Sequence, residues 1–415
     1  MLSRIPASAR TLAPAALALS VFAGSPAYAL EANAFAEALQ SMTKRLGYDI
    51  QYGSASLDGS TVVLSDVSIG IVAMAAAGED TRLSVQNDVR FENVAELGGG
   101  GYKVERVGRD NVGGTITGDD GVTVDYSIQS WAVEGLTIAG DGTDMDSSRA
   151  RAGLIYDRAS LERARIAVDG QEFMTMNNAQ SLIEMNGDIA NFNATMDQMV
   201  FDMTVPPDEA LKEWVQGTGY DRITANYFAE GTWNVTTGQL DAPTNNLRFE
   251  GMGELNLNLA LDGYTPAFVE SLQSLTEQMN SGDENAQQAA GMQMLGLVSQ
   301  LSFGRLVLSY RDGGMTNTLL EYYAKENGTT KEALIAQATG MMPIALAQIG
   351  VPELQAQIQE AAVNFMNDPK SLTIALEPDA PVAFPVIMGA AMSSPAELAK
   401  ALNATVRANE AGMME

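Results

Sequence analysis

The stretch GDGTDMDSS, Gly140 to Ser148, spaces Asp141, Asp144 and Asp146 closely enough for carboxylate oxygens to converge on calcium. An EF-hand loop needs Gly at its sixth position and Glu at its twelfth. Counting from Asp141 or Asp144, neither pair is present. Asp and Gly are ordinary turn formers, so the stretch reads as an acidic hairpin tip. Thioethers offer a second chemistry. The chain holds 22 methionines, grouped as Met174 and Met176, Met196, Met199 and Met203, Met292 and Met294, and Met341 and Met342. Thioethers bind Cu(I). Set among Val200, Phe201 and Val205, however, the central group reads as flexible apolar packing that can line a site for greasy ligands of variable shape. GGGGY, Gly98 to Tyr102, lacks the Lys-Ser/Thr of a phosphate loop and reads as a plain loop.

Absent residues narrow the choice further. The chain has no histidine and no cysteine. The commonest general base, the usual zinc ligands, the middle of a serine triad and thiol catalysis are all removed. An acid-dependent hydrolase would need two converging carboxylates, one with a raised pKa, and 52 scattered acids nominate no pair. The expectation is a protein that is not an enzyme and uses no cofactor.

Arg4 and Arg10 precede the apolar run TLAPAALALSVFAG, which ends in the small-residue site Ala27-Tyr28-Ala29. That pattern predicts a secretory signal peptide over residues 1–29, cleaved after Ala29, and a periplasmic location. The run is shorter than the roughly 18 to 20 residues that span a bilayer, so no integral membrane segment is expected in the mature chain. Removing it takes away two bases and leaves 22 against 52 acids, a net charge of -30 (22 - 52). Such an excess repels nucleic acid.

The pattern of the chain predicts an α+β fold. After a short amphipathic helix, NAFAEALQSMTKRL, alternating strands separated by Gly, Asp and Asn turns run to about Leu261. These give an N-terminal curved antiparallel β-meander over 30–262, with one inserted helix near 206–217 opened by Pro206-Pro207. From Gly263 the grammar becomes helical, with Thr265 and Ser394 as N-caps and Thr329 and Glu332 spaced as a capping box. A mostly helical C-terminal part is therefore expected over 263–415, carrying a few added strands near 301–310 and 371–377.

Three segments carry a resemblance: GTWNVTTGQLDAPTNNLRFEGMGELNLNLALDG, LVLSYRDGGMTNTLLEYYAKENGTTKEALIAQA and FMNDPKSLTIALEPDAPVAFPVI. They resemble a group of exported, uncharacterised alphaproteobacterial proteins and, more distantly, the β-rich periplasmic proteins of the AsmA and YdgA type. The shared features are turns and caps, with no catalytic residue among them. The AsmA-type resemblance implies a long curved sheet with an apolar trough, associated with envelope homeostasis and lipid movement. This chain departs from that type by being short and ending in helices.

In YDIQYGSASLDGSTVVLSDVSI, Tyr48, Ile50 and Tyr52 share one face of a strand, and a phase change after Leu64 predicts a bulge near Ser65-Asp66. Together with Met196, Met199, Phe201 and Met203 they are the expected lining of a sheet-helix trough. The leading functional expectation is a soluble periplasmic protein that binds a lipid or acyl chain there. The alternative is a non-enzymatic envelope interaction or assembly protein with a packed core, an envelope protein partner and no ligand.

Overall fold

The computed structural model describes residues 30–45, 47–71, 82–85, 88–117, 121–138, 155–206, 208–279, 284–347 and 350–410. The signal peptide expected over 1–29 and the acidic stretch 140–148 lie outside the described residues.

The chain opens with α1 (Ala32–Arg45) and the short strands β1 (Tyr48–Gln51), β2 (Ser54–Asp58), β3 (Thr61–Ser65), β4 (Ser68–Ile71), β5 (Leu83–Ser84), β6 (Val89–Glu92) and β7 (Ala95–Leu97). Long strands follow: β8 (Gly101–Thr117), β9 (Thr123–Ile138), β10 (Arg158–Val168), β11 (Gln171–Asn186) and β12 (Ile189–Asp202). Helix α2 (Glu209–Thr218) precedes β13 (Arg222–Asn234), β14 (Gln239–Phe249) and β15 (Gly253–Asp262). Then come α3 (Pro266–Met279), α4 (Glu284–Val298) and β16 (Ser302–Asp312). The helices α5 (Met315–Glu326), α6 (Lys331–Leu346) and α7 (Pro352–Asn367) lead to β17 (Ser371–Leu376) and β18 (Val382–Ala383). The chain closes with α8 (Phe384–Ser393), α9 (Pro395–Ala401) and β19 (Ala404–Ala408).

Sixteen of these strands form one antiparallel sheet, in the order β2-β3-β6-β8-β9-β10-β11-β12-β13-β14-β15-β16-β17-β19, with β7 beside β8 and β18 beside β16. The expected α+β division, a meander followed by a mostly helical C-terminal part, is corrected by this sheet. Strands make up 47% of the described residues against 33% helix, and the sheet runs straight through the boundary placed at 262. Strand β16 pairs with β15 from Gly253↔Asp312 to Asp262↔Ser302, although two helices intervene in sequence. Strands β17 and β19 then add to β16 and so continue the sheet into the C-terminal part.

The stretch from Tyr48 also divides differently. Strand β1 joins β4 and β5 in a separate three-stranded sheet, whereas β2 and β3 form the Asp58-Gly59 hairpin inside the large one. Asp66 adopts a left-handed φ of 52°. The expected bulge at Ser65-Asp66 is thus the point where the chain leaves one sheet for another.

Helix α1 seals the N-terminal end. Phe35, Leu39 and Met42 recur at helical spacing and bury one face against Val62, Leu64, Phe91 and Val104. The Phe35 ring meets Phe91 at 5.0 Å and Tyr102 at 5.2 Å, both edge-on. At the opposite edge, α7 covers β19: the Val406 N–H donates to Gln357 Oε1 at 3.2 Å. An edge N–H that would otherwise recruit another strand is thereby satisfied.

The shared motifs are turn and cap hardware. Asn234 accepts from the N–H groups of Thr236 and Thr237. Asp312 accepts from the N–H groups of Gly314 and Thr316, opening α5, and from the Tyr310 hydroxyl. Asn409 accepts from the N–H groups of Lys370 and Ser371, while its amide donates to Asn364 O and Asp368 O. The N-cap of α6 is Thr330, which accepts from the Ala333 N–H, so the cap sits one residue beyond Thr329.

Candidate functional site

Directly opposed residues of an antiparallel pair lie on the same face, so a register row can be followed across the sheet. One row runs Trp131, Leu161, Ala179, Met196 and Tyr227 over β9 to β13. It continues Leu247, Leu255, Tyr310, Leu372 and Ala408 over β14, β15, β16, β17 and β19. Every member is apolar or aromatic. Nine strand spacings of about 4.8 Å make the row roughly 43 Å long, measured along the sheet.

The neighbouring row on the other face is its chemical opposite. Ser160, Gln180, Thr195, Phe228 and Asn246 lead on to Asn256, Ser309, Thr373 and Arg407, polar at all but Phe228. Arg305 stitches this polar face, donating to Asn258 Oδ1 at 2.7 Å and to Asp241 Oδ1 at 2.8 Å. The sheet has one apolar and one polar side.

Bulges decide which methionines join the apolar side. Met196 and Met199 are three residues apart, a spacing that puts them on opposite faces of a regular strand. The register shifts between them, so Met196 opposes Tyr227 while Met199 opposes Ala225, two residues on from Tyr227. On β11, Met176 opposes Met199 and Met174 opposes Phe201. Four methionines and Phe201 are therefore gathered on one face. Further shifts at Glu230/Thr232, Ala242/Asn246 and Ala260/Leu261 fall in successive strand pairs, and stacked bulges bend a sheet.

Burial along the row is uneven in an informative way. Trp131 packs against the α1 cluster at one end, and Phe365 of α7 lies 6.0 Å from the Tyr310 ring at the other. Between them, Leu161, Ala179, Met196, Tyr227, Leu247 and Leu255 belong to none of the three buried clusters. Met196 is buried, Leu161, Ala179, Tyr227 and Leu247 are partly buried, and Leu255 is 39% exposed. A large apolar face is left roofed at its ends and open in its middle.

The other expected lining residues are placed elsewhere. Tyr48, Ile50 and Tyr52 lie in or beside the small sheet, where Ile50 and Tyr52 pack on the α1 cluster and Tyr48 is exposed. Met203 lies past the end of β12, its N–H bonded to Asp221 O. Sequence reasoning missed Tyr227, Leu247, Leu255 and Tyr310, whose strands do alternate but whose joint row depends on the register. Glycines 98 to 100 form a single 3-10 turn before β8.

Electrostatics set no reactive group on this face. The Arg82 guanidinium hydrogen-bonds Asp49 and holds its carboxyl below the usual range, as the Thr123 N–H and hydroxyl do for Asp169. Its own backbone N–H and the Thr330 hydroxyl lower Glu332 likewise. Burial raises the Tyr310 hydroxyl, assisted by its bond to Asp312. Among the described residues no three acidic side chains are grouped to hold a metal ion. One hollow of about 330 Å³ lies off the apolar row, bordered by Glu184, Asn191, Glu230 and Asp241. A face open along its length encloses little volume, so its accessibility is the quantity that matters.

A family model described as an uncharacterized protein matches residues 246–409. It contains two of the three motif segments whole and the end of the first. No curated protein matches the chain. No helix among the described residues is long and apolar enough to cross a membrane.

Proposed function

We propose that this chain is a non-catalytic periplasmic protein that lays a lipid or acyl chain along the apolar sheet face between α1 and α7, serving the cell envelope. The observation that carries the reading is the ten-strand apolar row, whose central members other than Met196 stay partly exposed. A monomer rarely leaves so extended an apolar face uncovered without use. Covering the exposed parts of the five central side chains other than Met196 contributes on the order of a few kcal/mol before the costs of association. Methionines and leucines in the row adapt to chains of varied length.

The distant likeness to AsmA-type proteins supports the same reading. Absence of histidine and cysteine, and carboxylates shifted downward wherever a shift is resolved, support a binding role over an acid-dependent hydrolase. The test is to express the protein with its leader, purify it gently and compare native with denaturing mass spectra. A reproducible adduct that extracts as lipid is expected. Ligand-free mass across several preparations would favour the envelope interaction protein instead.

A further inference from the structure

Helices α4, α6 and α8 each carry strongly exposed apolar side chains, and those of α4 and α8 lie side by side. Met292 on α4 is 68% exposed and Met392 on α8 is 89% exposed, with Leu295 and Val386 of the same two helices also exposed. The two helices sit at one place. Phe384, at the start of α8, packs into the cluster that holds Ala290 and Leu297 of α4. That place is the end of the sheet where β15 finishes at Asp262 and β18 pairs with Ser302 and Phe303 of β16. The apolar face reaches the same end through Leu261 and Phe303, themselves register partners.

Charge is the second observation. Residues 285–304 and 380–396 contain no Asp, Glu, Lys or Arg, in a chain whose net charge is -28. The two neighbouring helices carry no charged side chain over these runs and leave thioether and aliphatic side chains exposed, with Glu270 of α3 bordering α4. A basic partner would need acids at the contact, an anionic surface would be repelled, and two copies of so acidic a chain repel one another. An electrically neutral lipid surface fits the chemistry. At 10 residues, about 15 Å of helix, α8 is too short to cross a bilayer and long enough to lie in its interface.

We infer that the α4/α8 end docks on a zwitterionic lipid bilayer, giving the apolar face a membrane from which to load. The inference rests on the proposed lipid-binding reading for its purpose, though the docking is measurable by itself.

The test is flotation with phosphatidylcholine vesicles at low salt, comparing the wild-type protein with a Met292→Glu, Met392→Glu double variant. Both positions are exposed, and a thermal melt matching that of the wild type shows that the variant's fold survives. The wild type is expected to float, the variant to float about tenfold less, and phosphatidylglycerol vesicles to carry less wild type. A wild type that stays below the vesicles overturns the inference, as does equal flotation of the two proteins. A concentration-dependent dimer abolished by the same substitutions, without flotation, overturns it in favour of self-association. Flotation without acyl-probe binding would uphold docking and remove the lipid-carrier reading.

Discussion

Leu255 and Asn256 are adjacent on β15 and occupy opposite sides of the sheet: Leu255 pairs with Leu247 and Tyr310, whereas Asn256 pairs with Asn246 and Ser309. One step along the backbone separates an apolar row from a polar one. Apolar and polar side chains are thus assigned to opposite faces of the same strands.

That relationship gives a paired test. Leu255→Asp is expected to weaken binding of an acyl probe by about tenfold or more, since a carboxylate would have to be desolvated beneath the ligand. Asn256→Asp adds the same charge one residue away and is expected to leave binding unchanged. Titration of a fluorescent fatty acid into both variants checks it, with thermal melts confirming that each is folded.

Trp233 anchors the end of the sheet. Its Nε1–H donates to Tyr264 O at 2.7 Å, and the two rings lie 5.7 Å apart. Trp233→Phe keeps much of the packing but leaves a carbonyl without its donor. A loss of about 1 to 3 kcal/mol in urea unfolding is expected.

Tyr310 should govern the alkaline limb of stability. Its hydroxyl donates to Met252 O and to Asp312 Oδ1. Burial raises its pKa above the ordinary tyrosine value of about 10. A raised folded pKa contributes stability that is present below the unfolded value and lost as pH rises through the folded one. Stability is expected to fall above pH ~10 in the wild type. In Tyr310→Phe this tyrosine's share of the fall should disappear, as denaturant midpoints between pH 8 and 11 would show.

Asp49 acts at the other end of the scale. Its carboxylate accepts from Arg82 at 2.7 Å, and its pKa is lowered from 3.8. A lowered folded pKa contributes stability that is present above the unfolded value and lost as pH falls through the folded one. The pair is partly exposed, so Asp49→Asn should cost under about 1 kcal/mol at neutral pH. The difference from wild type should shrink to nothing as acid titrates the native carboxylate, which unfolding at stepped pH values below 5 would reveal.

Local features were legible in the sequence where they depend on neighbours in the chain. Thr265 does cap α3 through the Phe268 N–H, and Ser394 caps α9 through the Glu397 N–H. The Asp58-Gly59 turn does join two strands. Long-range pairing was not legible. Nothing between Asp262 and Ser302 announces that β16 returns to β15, because two helices of their own periodicity separate the partners and the pairing is settled in three dimensions. The apolar face was hidden for a related reason. Alternation alone separates Met196 from Met199, and only the bulge at Asp197 and Gln198 reunites them. Tyr48 and Ile50 alternate as lining residues should, but the left-handed Asp66 sends their strand's partner into the small sheet.

The central claim is that the middle of the apolar row holds a lipid or acyl chain, and photo-crosslinking with a diazirine fatty acid, followed by peptide mapping, tests it most directly. Label is expected on β11 to β15, at Met196, Tyr227, Leu247 and Leu255, competed away by unlabelled fatty acid and absent in Leu255→Asp. Label confined to the exposed methionines of α4 and α8, or none that competes, would contradict it.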